Sequence, residues 1–439
     1  MKKVARSSLF LLFYLLTTFK TFGAYIIRDA ETESYIREIL DEILIASDIK
    51  PSSVNLFLVK DDSINAFVSG GSNVFVNTGL IQMAKNYDVL QAVLAHEVGH
   101  IKASHIANFD NKIEKAVLEA LFYSVSGALI ALSGGAGSAI IAGLSIGANV
   151  AEKRVLSYSR AQELEADFYT FQVLTKLKAS GEGVKHIFKR FEAMQEKQVE
   201  QSKINQYSTT HPFPSNRLAF FEEKFKSINY TPVFNKKLAE KHLFITAKLG
   251  GYFGNLNIEY SKEFFNNPSA KLYFEAFSAL RLQNLAKAED ILKKMLAQDS
   301  KNPYLYEILG ELEHKNFNYN SAIAYFSKSL DLKPNEFLFL FQIAQSYFEN
   351  KDFETAIRHL EKASKIEPYN PQVPFKLAEI YSQKKENTIA KIYFIESEIL
   401  RQNYQKAKIL LKNLQQESPV LSKNFAIKVK DIEEFLKNK

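Results

Sequence analysis

The sequence predicts two folded parts. The first is an α+β domain, mainly helical with a small sheet, and the second is an all-α solenoid. Three observations predict this. Between about Tyr25 and Phe225, short strand-like runs bounded by glycine lie beside longer helix-like stretches. Within that region two histidines stand four residues apart in an apolar, helical stretch. From about Ser269 onward the pattern is helical throughout and recurs every 34 residues.

Composition narrows the chemistry. A chain of 439 residues holds two to four domains, at roughly 100–200 residues each. Lys and Arg number 56 against 49 Asp and Glu, and the resulting charge of +7 is spread along the chain. That distribution makes no basic stripe, so no nucleic-acid partner is expected. Hydrophobic residues at 46% and charged residues at 24% belong to a globular protein and exclude a disordered one. The absence of cysteine excludes disulfides, Cys-ligated zinc, iron–sulfur clusters and thiol catalysis. Any metal must be held by His, Asp or Glu.

The elements follow in order. Lys2, Lys3 and Arg6 precede an apolar run from Leu9 to Leu16 and a stretch ending at Gly23 and Ala24. This is the pattern of a cleavable secretory signal peptide over 1–24. An uncleaved anchor is the other reading, although the apolar core is shorter than the about 20 residues of a span. Asn55–Lys60 reads as a strand. Asn65–Phe67 and Ser72–Val76 read as further strands joined by Gly70 and Gly71, and 82–107 as one long helix. Ala116–Leu132 and Ser138–Val150 form an apolar insert, 116–150, split by Gly134, Gly135 and Gly137. A buried helical hairpin, a loop touching a membrane or partner, and a membrane hairpin all suit it. The domain spans 25–225, a mixed connecting segment 226–268, and the repeats 269–439.

The repeat is visible as columns. Ala276, Gly310, Ala344 and Ala378 are each 34 apart, as are Ala288, Ala322, Ala356 and Ala390. Leu292, Phe326, Leu360 and Phe394 share the spacing, and so do Pro334 and Pro368. Antiparallel helices approach closely only where small residues sit at their crossing, and the bulky residue fills the next layer. This is the tetratricopeptide signature, and such arrays bind proteins or peptides. Tyr404–Leu414 reads as one more helix, and 418–439 as a terminal capping helix.

The chemistry lies in His96-Glu97-Val98-Gly99-His100. Residues four apart on a helix share a face, so His96 and His100 can reach one metal ion. Glu97 can take a proton from a water that the metal acidifies and pass it to a leaving amine. This is the H-E-x-x-H logic of zinc metalloproteases, and catalytic zinc takes three protein ligands. A third histidine at the shortest spacing would fall on Ile106; His105 is one residue off, and Ala103 stands where that spacing needs glycine. The third ligand should therefore come from another helix. Within 159–167 (SRAQELEAD), Glu163 and Asp167 are four apart. Glu163 can ligate while Asp167 accepts a hydrogen bond from an imidazole. A solvated acidic face is the other reading, and Glu165 points elsewhere as a surface residue.

HEVGH, SRAQELEAD, the later THPFPSNR (210–217) and the preceding NAFVSGGSNVFVNTGLI (65–81) occur in an order that resembles the gluzincin metallopeptidases of the HtpX and CAAX-prenyl-protease type. The resemblance implies a zincin-like metalloprotease domain binding one Zn2+ per chain. It implies His96, His100 and Glu163 as ligands, Glu97 as the base and Asp167 as the partner of a ligating imidazole. His211 matches the histidine of the family's T-H-P, which can occupy the open zinc position and hold the enzyme latent. A cap on the following helix is its other reading. Arg217 is expected near the active site. Thr170 departs from the family's usual glycine, and a packing change is expected there. The strand at Asn73–Val76 is expected at a sheet edge by the cleft, where an extended substrate could add, and an interior strand is the other reading. With a signal peptide in front and tetratricopeptide repeats behind, the resemblance implies a periplasmic zinc endopeptidase, with a chaperone role beside it. Its clients would be unfolded or misassembled outer-membrane β-barrel proteins, and its partner their assembly machinery. A non-proteolytic repeat adaptor and an inner-membrane-anchored protease are the alternatives.

Overall fold

The protein is described from a computed structural model covering residues 25–69, 72–105, 158–196, 211, 216–254, 265–417 and 420–439. The expected signal segment and the apolar insert lie outside the described residues. Among the described residues, no helix is long and apolar enough to cross a membrane.

Helix α1 (Ala30–Ala46) follows strand β1 (Tyr25–Ile27). The Asp29 carboxylate accepts from the Thr32 N–H at 2.8 Å and starts the helix. Ile36, Ile39, Leu40, Ile43 and Leu44 recur at the helical period, and all are fully buried. Strands β2 (Asn55–Lys60), β3 (Ala66–Ser69) and β4 (Asn73–Asn77) complete a sheet of order β1-β2-β4-β3. The side-chain period of two sorts its faces. Leu58, Val74, Val76, Ala66 and Val68 turn into the core, while Phe57, Phe75 and Phe67 stack in a row across three strands on the other face.

Strand β4 corrects one expectation. It is interior, paired parallel with β2 and antiparallel with β3, so both its backbone edges are used. The outer strand on that side is β3. A second correction concerns the helix expected over 82–107. The chain forms a short α2 (Thr78–Met83) and then α3 (Tyr87–Lys102). Ala84 is extended between them, and its carbonyl accepts from the His242 Nε2–H at 2.9 Å. Asn86 then caps α3 by accepting from the Asp88 N–H.

Helix α4 (Arg160–Lys176) begins with a reciprocal Ser159–Gln162 capping box. It crosses α3 at Gly99, where an added Cβ would lie 2.8 Å from the Ala166 carbonyl oxygen. Glycine thus lets the two helices that carry the acidic and histidine motifs meet at backbone distance. Helices α5 (Glu182–Glu196) and α6 (Asn216–Lys226) pack beside them. Helix α7 (Lys236–Phe253), in the connecting segment, bridges the two parts. Its Leu238, Ile245 and Leu249 belong to the first core, while Tyr252 joins the core of the repeats.

The repeats comprise the pairs α8 (Pro268–Arg281) and α9 (Leu285–Gln298), α10 (Pro303–Lys315) and α11 (Tyr319–Leu332), α12 (Phe337–Glu349) and α13 (Phe353–Ile366), and α14 (Gln372–Gln383) and α15 (Asn387–Leu400). Helices α16 (Tyr404–Gln416) and α17 (Lys423–Lys437) follow. Every small residue of the two columns is buried, and an added Cβ at Gly310 would sit 2.8 Å from the Phe326 ring. The turn inside each pair repeats as well. Gln283, Phe317, Lys351 and Lys385, each 34 apart, take left-handed backbone angles with φ of 59–65°. The next N–H then reaches back to a carbonyl five residues earlier, closing the helix end.

The array grips the start of α1. The Arg28 guanidinium pairs with Glu33 and Glu367 and lies over the Phe337 ring. The buried Lys248 ammonium pairs with Asp29 at 2.6 Å and Glu31 at 3.0 Å.

Candidate metal centre and active site

Helix α3 presents His96 and His100 on one face, with Nε2 atoms 3.1 Å apart. Helix α4 brings Glu163 against them. Its oxygens lie 3.3 Å from His96 Nε2 and 3.4 Å from His100 Nε2. His211 arrives from the segment before α6, with Nδ1 2.9 Å from Glu163 Oε1 and 3.3 Å from His96 Nε2. All four side chains are buried, and they offer donor atoms within 4.8 Å of one another. Tetrahedral zinc, with bonds of about 2.0–2.1 Å, sets its ligand atoms about 3.3 Å apart. The donor separations match that spacing, and two or three imidazoles with a carboxylate are a donor set that zinc accepts.

Glu97 is fully buried beside the cluster, with Oε1 3.4 Å from His211 Nε2. Neither of its carboxylate oxygens has a hydrogen-bond partner in normal geometry among the described residues. Burial pushes its pKa up, while His211, His96 and the Val68 backbone on β3 pull the other way. Burial also opposes ionisation of Glu163, but His211 and His96 outweigh it and hold the carboxyl far below the usual range. An ionised, buried carboxylate facing three imidazoles favours a cation. Burial opposes charge on His96, yet Glu163 and Asp167 lift its pKa to about 9. Burial dominates at His100 and lowers it to about 2.

The cluster has a supporting layer. Asp167 Oδ1 accepts from His96 Nδ1 at 3.0 Å, which turns Nε2 toward Glu163. Arg217 on α6 forms two hydrogen bonds to Asp167, at 2.6 and 2.7 Å, and an ion pair to Glu163 at 2.6 Å. Thr170, at the position where glycine was expected, satisfies its hydroxyl by donating to the Ala166 carbonyl at 2.7 Å. The structure therefore brings His96, Glu97, His100, Glu163, Asp167, His211 and Arg217 into one buried constellation.

Three neighbours stand beside the cluster, of which Tyr158 escaped the sequence reading and His105 and Glu165 were read without this role. The Tyr158 ring stacks on His100, with centroids 3.7 Å apart. His105 lies with Nδ1 3.3 Å from His100 Nδ1 and Nε2 3.0 Å from Glu165 Oε2. Glu165, expected as a lone surface residue, is half-exposed but paired. The signal was His105 itself, five residues after His100, just beyond the helix end.

Comparison with known proteins agrees with this geometry. Residues 30–224 match Peptidase family M48, and residues 303–336 and 339–370 match the tetratricopeptide repeat. The chain is similar to the beta-barrel assembly-enhancing protease of Yersinia pestis, 23% identical over 357 residues, covering 80% of this chain and 72% of that protein. The Escherichia coli (strain K12) protein of the same name is 23% identical over 348 residues, covering 77% and 70%. The mitochondrial metalloendopeptidase OMA1 of Schizosaccharomyces pombe is 29% identical over 192 residues, covering 44% and 52%. Residues 30–224 carry the match to peptidase family M48, and the chain is a metal-dependent endopeptidase that continues into tetratricopeptide repeats.

Proposed function

We propose that the protein is a zinc endopeptidase of the periplasm that acts on outer-membrane β-barrel proteins during their assembly. One observation carries the proposal: four buried donor groups on one centre, with the Glu97 carboxylate buried beside them. His96, His100 and Glu163 are the ligands in this reading. Asp167 holds the His96 ring, and Arg217 holds Asp167 and Glu163 in place. When bound, zinc supplies Lewis acidity, polarising a peptide carbonyl and lowering the pKa of water towards about 7. Glu97 takes the proton from the attacking water and delivers it to the departing amine. An extended client adds along the outer edge of β3, whose Val68 lies next to Glu97.

His211 is the latch. Catalytic zinc needs an open position, and a fourth protein donor fills it. Its Nε2 also sits against Glu97, so the same ring restrains the base. The names of the similar proteins support the client class, the basic and apolar N-terminus supports export, and the array supports docking to the assembly machinery.

The test uses the full chain with an unfolded β-barrel protein. Glu97→Gln should lower cleavage by about 10²–10⁴-fold. Undiminished cleavage overturns the reading. If this variant lost cleavage yet kept full biological function, a repeat adaptor or chaperone would be the better description. His211→Ala should raise basal cleavage, and unchanged or lower cleavage removes the latch.

A further inference from the structure

We infer that His105 and Glu165 form a relay that positions His100 as a metal donor. The inference rests on the reading of His100 as a ligand.

The backbone makes the arrangement. Helix α3 ends at Lys102, and Ser104 takes a left-handed conformation with φ of 55°. The His105 N–H then donates to the His100 carbonyl at 2.9 Å. This reversal folds the His105 ring back beside His100, with ring centroids 5.5 Å apart. Across the gap, Glu165 on α4 offers Oε2 to His105 Nε2 at 3.0 Å. The His105 side chain is 8% exposed and Glu165 51% exposed, so the relay leads from the buried centre to the surface.

The hydrogen-bond directions follow from the chemistry of neutral imidazole, which has one donor and one acceptor nitrogen. The Glu165 carboxylate can only accept, so His105 carries its proton on Nε2. Its Nδ1 is then an acceptor and faces His100 Nδ1 at 3.3 Å. That contact places the His100 proton on Nδ1 and leaves the Nε2 lone pair turned toward His96, Glu163 and the metal position. The two histidines of the motif are thus backed by different devices. Asp167 holds His96 directly, whereas Glu165 holds His100 through His105. One helix supplies all three carboxylates, at 163, 165 and 167.

Zinc affinity of the full chain, measured by competition with a chromophoric chelator, tests the relay. His105→Ala should bind zinc about 10–100-fold more weakly, the usual effect of losing a partner of a ligating histidine. His105→Gln, whose amide oxygen can accept from Nδ1–H, should recover most of that loss. Glu165→Gln should fall between wild type and His105→Ala. In the cobalt-loaded protein, exchangeable Nδ1–H signals are expected from His96 and His100, and only the His100 signal should vanish in His105→Ala. A merely structural role would lower thermal stability and move neither the signal nor the affinity. Affinity within twofold of wild type in both His105→Ala and Glu165→Gln, with both signals kept, overturns the inference. Failure of the underlying reading shows separately, as full zinc occupancy in His100→Ala.

Discussion

The metal centre and the repeat array are built by opposite means. In the array, the crossings are mainly apolar, with a few buried polar pairs such as Gln342 and Glu311 among them, and the same steric solution recurs every 34 residues. Stability is shared along the stack, and each layer leans on its neighbours. In the centre, the buried groups are polar or charged, and each depends on a specific partner from another element. Buried polar networks are costly when half satisfied. The array should therefore tolerate change as a graded loss of stability, and the centre should lose function at small displacements.

The largest effect that separates the two is a cavity in the array. Phe326→Ala leaves a hole beside Gly310 in a fully buried layer. It should cost about 3–5 kcal/mol in chemical unfolding while zinc content stays that of wild type. Zinc lost in step with stability would break the separation.

A second effect tests the bridge between the regions. His242 on α7 is buried, donates to the Ala84 carbonyl and accepts from the Tyr35 hydroxyl at 2.8 Å. Burial lowers its pKa to about 4. A neutral histidine in the fold and an ordinary one in the unfolded chain give a definite sign. Stability is fully present above about pH 6.5 and is lost as pH falls toward 4, by roughly 3 kcal/mol. His242→Gln should flatten this part of the stability profile. An unchanged acid slope in that variant would show that other groups set it.

The smallest effect sharpens the comparison at one methyl group. Gly99→Ala places a Cβ 2.8 Å from the Ala166 carbonyl oxygen, on a backbone with little room to give. It should cost about 1–3 kcal/mol and also weaken zinc binding, because Ala166 lies between Glu163 and Asp167. A stable variant with undiminished zinc affinity would contradict the account of this crossing.

These differences also explain what could be read from the sequence. The array was legible because its packing is periodic, and the columns at Ala276 and Ala288 mark helix crossings directly. The histidine pair was legible because helical spacing alone places His96 beside His100. Glu163 and Asp167 needed only one further helix. Other features depend on contacts remote in sequence. The break before α3 was hidden because the residue that holds the Ala84 carbonyl, His242, lies 158 positions later. Strand β4 looked like an edge because alternation reports which face is buried and not which neighbours pair. His105 was weighed as a ligand by its spacing and set aside, whereas its geometry places it behind His100.

The most direct measurement of the central claim is metal analysis of the purified chain and its variants. Wild type should carry about one zinc per chain. His96→Ala and Glu163→Ala, each still folded by circular dichroism, should lose it. Full zinc occupancy in Glu163→Ala would contradict the assignment of α4 as the source of the third ligand.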